Sequence, residues 1–120
     1  MSRTWSHPNF YQAELIVAEL MRHGVQMFFV APGSRSSPLA IAVAKLAQNN
    51  AIVHVDERGL AFAAIGYARA TGTPAVLICT SGTAVANFLP AVVEASMSAI
   101  PLIMLTADRP PELHDRGSNQ

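Results

Sequence analysis

Four short apolar runs constrain this chain more than any other feature. They occupy residues 25–30, 51–55, 75–79 and 101–106, and helix-like patterns separate them. An alternating apolar–polar run would mark a strand with one wet face. Runs that are apolar almost throughout mark strands buried on both faces, as in a parallel sheet covered by helices. The expected fold is therefore α/β, an open, doubly wound parallel sheet flanked by helices, with right-handed crossovers.

The segments between the runs agree. From residue 10 to 23, Ala13, Ile16, Val17, Leu20 and Met21 recur at helical spacing, and Gly24 is placed as a stop. Pro38 suits a first helical turn, and a helix is expected to continue to Gln48. A third helix is expected over residues 58–70, with Leu60, Ala63, Ala64 and Tyr67 on its inner face. A fourth spans residues 84–98, and Pro90 must kink or restart it. Residues 107–120 are polar and lack a clear period.

At 120 residues the chain fits one domain. Its charged fraction is 13%, against about 25% in an average soluble domain. With 51% hydrophobic residues and zero net charge, disorder is excluded, and the basic face of a nucleic-acid-binding domain is absent. Much of the surface is thus expected to be covered by something outside these residues. No apolar run reaches 18 residues, so no transmembrane segment is expected. The first nine residues have no hydrophobic signal core, and a single cysteine points to a reducing compartment; a cytoplasmic location is expected.

The charges that do exist are concentrated. Arg35, Asp56, Glu57, Arg58, Asp108 and Arg109 all fall where the strands end. Ligands of open α/β sheets bind beyond the carboxyl ends of the strands, so this edge is the candidate site. The first exit, residues 31–37, reads as a phosphate-binding turn with Arg35 adding charge, or as an ordinary turn capped by serine. At the second, Glu57 opens a helix, where a carboxylate is often no more than a dipole partner. His54 and Asp56 beside it have no second His/Cys cluster to make a metal site. The third, Thr80-Ser81-Gly82-Thr83, reads first as a helix cap and second as an anion site, and Asp108–Arg109 as a local ion pair. His7, His23 and His114 stand alone, and Cys79 reads as a small core residue.

Several stretches carry a resemblance. Gly24-Val25 through Ala31-Pro32-Gly33, then Asp56-Glu57-Arg58-Gly59-Leu60-Ala61-Phe62, then residues 66–72, resemble the pyrimidine-binding domain of thiamine-diphosphate enzymes. Residues 31–36, 80–87, 105–113 and 117–120 narrow it to the menaquinone-pathway synthases that join 2-oxoglutarate to isochorismate. The Ala-Asp-Arg-Pro-Pro-Glu-Leu run is specific to them, whereas the glutamate pattern belongs to the whole superfamily.

The resemblance implies a thiamine-diphosphate-binding fold of the pyrimidine-domain type over residues 1–120. It implies that Glu57 hydrogen-bonds N1′ of the cofactor's aminopyrimidine and favours the imino tautomer that deprotonates the thiazolium ring. It implies substrate contacts from Ser34, Arg35, Arg109, Asn119 and Gln120, the guanidinium groups suiting dicarboxylate substrates. It implies Mg²⁺, held with the diphosphate by a Gly-Asp-Gly…Asn domain that these residues lack, and a homodimer or homotetramer sharing the site between subunits. Because Gln120 matches a site position, the chain is expected to stop inside functional sequence. Two alternatives remain open: another thiamine-diphosphate 2-oxo-acid enzyme that does not need Arg35 and Arg109, and a non-catalytic α/β assembly module.

Overall fold

The structure is a computed structural model and describes residues 7–117. Helix α1 (Pro8–Arg22) leads into strand β1 (Phe28–Val30), followed by α2 (Ser37–Leu46) and β2 (Ala51–Val53). Then come α3 (Glu57–Thr71), β3 (Ala75–Cys79), α4 (Thr83–Ala86), α5 (Leu89–Met97) and β4 (Leu102–Thr106). The sheet is parallel throughout, in the order β2-β1-β3-β4. The expected doubly wound α/β architecture is the one observed.

Two cores lie on opposite faces of this sheet, and strand alternation assigns residues to them. Phe28, Val30, Val76 and Ile78 pack with Val17 and Val43 of α1 and α2. Phe29, Leu77 and Cys79 pack with Leu60, Ala64 and Phe88 on the α3/α5 side. The two phenylalanines of β1 are fully buried on opposite sides, so truncating either to alanine removes roughly 3–5 kcal/mol.

The elements end where the local chemistry dictates. α1 closes with Gly24 at φ +93, its N–H bonded to the Met21 carbonyl and that of Val25 to Leu20, both at 3.0 Å. This pair of bonds is a Schellman cap. It also corrects the expected first strand: Val25 finishes the helix, and only residues 28–30 pair with neighbours.

Two further expectations need correction. β3 is buried along its whole length, but β2 and β4 are not, because each is an edge strand with no further strand beside it among the described residues. Ala63 of α3 faces outward, since Leu60, Ala61, Ala64, Ile65 and Ala68 form the buried stripe. The segment over 84–98 is two helices, the restart expected at Pro90. Pro90 has no N–H to give the Ala86 carbonyl, and it falls in the first turn of α5 instead.

Candidate functional site at the carboxyl edge of the sheet

All four strands point the same way, so their carboxyl ends share one edge. β2 follows β1 on one side of it and β3 joins on the other, which makes the β1/β3 gap the switch point where such sheets bind ligands. Here the exits of β1 and β3 touch. A Cβ built on Gly33 would lie 2.3 Å from Cβ of Thr80, so only glycine fits. Thr80 is buried, and its hydroxyl has no hydrogen-bond partner among the described residues.

The turn after β1 is braced from within. Ser36 is fully buried and its Oγ donates to the Gly33 carbonyl at 3.1 Å, with Ser37 Oγ donating to the same oxygen at 3.4 Å. Neither serine caps α2 through its side chain, contrary to the capping expectation, because both hydroxyls turn back to the loop. The cap expected from Thr80-Ser81-Gly82-Thr83 is also not found. Gly82 is the N-cap of α4, at φ 76, and has no side chain to offer.

A cavity of about 560 Å³ opens beside the β1 turn. Ser34 and Arg35 form one wall, Asp108 and Arg109 after β4 a second, and Asn9 and Phe10 at the start of α1 a third. Three predicted residues, Ser34, Arg35 and Arg109, are thus brought together. Asn119 and Gln120 lie outside the described residues. Asn9 and Phe10 escaped the sequence reading. The signal was available: a helix running back before a strand starts at that strand's carboxyl edge.

Asp108 and Arg109 do not form the expected ion pair. Asp108 Oδ1 accepts the backbone N–H of Arg109 at 2.7 Å, and Oδ2 lies 3.5 Å from His114 Nε2. His114 also meets the Arg109 carbonyl at 3.0 Å. These contacts fix the Arg109 backbone and leave its guanidinium free of the neighbouring carboxylate. Arg109 Nε is buried with no hydrogen-bond partner among the described residues. An orphaned charged donor of this kind costs stability unless something accepts from it.

Glu57 is a separate feature. It is half-buried at the first position of α3 and does not line the arginine cavity. Asp56, one residue before, caps the helix through Oδ1, which accepts the Gly59 N–H at 2.8 Å. That bond holds the Asp56 carboxyl below its usual range. His54 Nδ1 turns to the backbone N–H of Asp56 at 3.1 Å, and among the described residues no cluster of three His, Cys, Asp or Glu is present. Glu57 Oε2 accepts from Asn87 Nδ2 at 3.0 Å, while Oε1 has no partner among the described residues. Beneath it, burial first and the Glu57 charge second push the Cys79 thiol up to about 11. Cys79 is fully buried, as expected of a core residue. His7 caps α1 through Nδ1, and His23 pairs with Glu19, so both are structural.

Comparison with known proteins covers the whole edge that carries these residues. Residues 12–120 match the family described as thiamine pyrophosphate enzyme, N-terminal TPP binding domain. The chain belongs to this thiamine pyrophosphate enzyme family. It is similar to the 2-succinyl-5-enolpyruvyl-6-hydroxy-3-cyclohexene-1-carboxylate synthase of Salinibacter ruber, 54% identical over 98% of this chain and 21% of that protein. The synthase of the same name from Rubrobacter xylanophilus is 62% identical over 88% of the chain and 18% of its own length. The Haloarcula marismortui protein of that name is 54% identical over 93% and 19%. The chain thus spans about a fifth of the length of the curated relatives it matches.

The residues present fit thiamine pyrophosphate, the diphosphate ester of thiamine. An aminopyrimidine ring nitrogen needs a carboxyl oxygen not already engaged, and Glu57 Oε1 is one. In the chain just before it, Val53 is 66% and Val55 80% exposed, and neither side chain carries a donor. Among the described residues, no helix of this thiamine pyrophosphate enzyme domain is long and apolar enough to cross a membrane.

Proposed function

We propose that this chain is the pyrimidine-binding domain of a 2-succinyl-5-enolpyruvyl-6-hydroxy-3-cyclohexene-1-carboxylate synthase. The reaction is decarboxylation of 2-oxoglutarate and addition of the remaining four-carbon unit to isochorismate, a step of menaquinone biosynthesis. The observation that carries the proposal is the meeting of Arg35, Arg109 and Ser34 in one cavity, in a chain whose relatives bear that name. Thiamine diphosphate supplies the nucleophilic carbon and the electron sink for decarboxylation.

The chain's own residues do the rest. Glu57 moves a proton at its carboxyl group, within a site that water enters poorly once apolar neighbours are covered. Arg35 and Arg109 bind substrate carboxylates by charge-assisted hydrogen bonds, and the unpaired Arg109 Nε gains the acceptor it lacks. Ser34, with Asn119 and Gln120, adds neutral donors at the cavity. On this reading Mg²⁺ is bound outside these residues, and the protein is a cytoplasmic homo-oligomer whose neighbouring subunit covers the Glu57 exit.

The test is Glu57→Gln in the full-length protein, which keeps the shape and removes proton transfer. Consumption of 2-oxoglutarate with isochorismate should fall about 10²–10⁴-fold, the range for general acid–base groups. A rate near wild type would falsify the role of Glu57.

A further inference from the structure

Glu57 has two carboxyl oxygens, and only one of them is engaged. We propose that Asn87 is a positioning residue that decides which of the two takes up a proton, an inference that rests on the role given to Glu57. Asn87 Nδ2 donates to Oε2 at 3.0 Å across a sequence gap of 30 residues. A carboxylate can only accept, so the amide nitrogen must be the group that faces it. A proton placed on Oε2 would turn the acceptor of that bond into a hydroxyl oxygen, a weaker acceptor. A proton that Glu57 takes up is therefore directed to Oε1, the oxygen with no partner among the described residues.

The fold holds Asn87 in place on both sides. Its own N–H closes α4 by bonding the Thr83 carbonyl at 3.0 Å. The next residue, Phe88, is buried in the α3/α5 core and bonds Val85 at 3.1 Å. Pro90 forbids a continuous helix through this point, so the chain pauses at residues 87–88 before α5 begins. The exposed Asn87 side chain is thereby free of the core and set against the first residue of α3. Among the described residues, no other side-chain donor to Glu57 is present. Without Asn87 the carboxyl can rotate and present either oxygen.

The experiment uses full-length protein carrying Asn87→Ala, Asn87→Asp or Glu57→Gln. Calorimetry on the apo forms reads thiamine diphosphate affinity. On the loaded forms, deuterium exchange at the cofactor's C2 carbon is followed across pH without substrate. Asn87→Ala should weaken cofactor binding and slow exchange, each about tenfold, as for loss of a hydrogen bond to a charged group. Its pH profile should move upward, because losing the donor disfavours the carboxylate form. Asn87→Asp, nearly isosteric, should move it further by setting like charges together. Exchange within twofold of wild type at an unmoved profile overturns the proposal, provided that Glu57→Gln still abolishes exchange. A slower rate with an unmoved profile and a lowered melting temperature also overturns it, because that is a purely structural role. If Glu57→Gln leaves exchange intact, the reading of Glu57 itself fails.

Discussion

Two regions share the carboxyl edge of the sheet and differ in how complete they are. The arginine cavity is walled by three separate parts of the chain: the start of α1, the β1 turn and the β4 exit. The Glu57 region has a floor at Cys79 and one side-chain hydrogen bond, from Asn87, and the chain leading into it carries the exposed Val53 and Val55. Recognition of charged groups can thus be assembled inside one domain. If Glu57 acts as proposed, its proton transfer needs a dry environment, and the cover for it comes from outside these residues.

Substitutions can break or sharpen this contrast. Glu57→Gln has the largest expected effect, and it should weaken cofactor binding as well as turnover. Arg109→Ala and Arg35→Ala should each lower kcat/KM by roughly 10–100-fold, the equivalent of a charged hydrogen bond. Calorimetry should find thiamine diphosphate affinity unchanged in both. An arginine variant that loses cofactor affinity as severely as Glu57→Gln would merge the two regions into one. Gly33→Ala tests the seam between them. Its methyl group would overlap Thr80, so stability should drop by about 1–3 kcal/mol, read as a lower melting temperature.

The smallest effect concerns Cys79, beneath Glu57. Its thiol titrates near 11 in the folded chain against an ordinary 9.0, so folding favours the protonated form. Its contribution is fully present below pH 9 and is lost as pH rises through 11. Alkylation at neutral pH should therefore be slow until the protein unfolds, and Cys79→Ala should flatten the alkaline loss of stability. Rapid labelling of folded protein would show the floor to be open.

The sequence made the sheet legible because burial on both faces leaves a distinctive run. β3 agrees with its expected limits to the residue, since both its faces and both its edges are covered. β1 and β2 came out shorter than expected. Val25 is apolar for a helix cap rather than a strand, and Val55 is apolar yet 80% exposed. Hydrophobicity alone cannot tell those causes apart. The clustering of Arg35 and Arg109 was legible from their places at strand ends. The Asn87–Glu57 bond was not, because a contact between a helix break and a distant helix start leaves no periodic trace.

The strand order has a consequence for synthesis. β1 lies inside the sheet, yet it is made before the other three strands of that sheet. Its partner on the β3 side, Phe28 with Val76, emerges about fifty residues later, a delay of several seconds at typical elongation rates. Through that interval Met27-Phe28-Phe29-Val30 presents two aromatic side chains and an unpaired backbone edge. This tetrapeptide stays without its β3 partner for that interval. It is also where slowed translation would most raise the risk of aggregation.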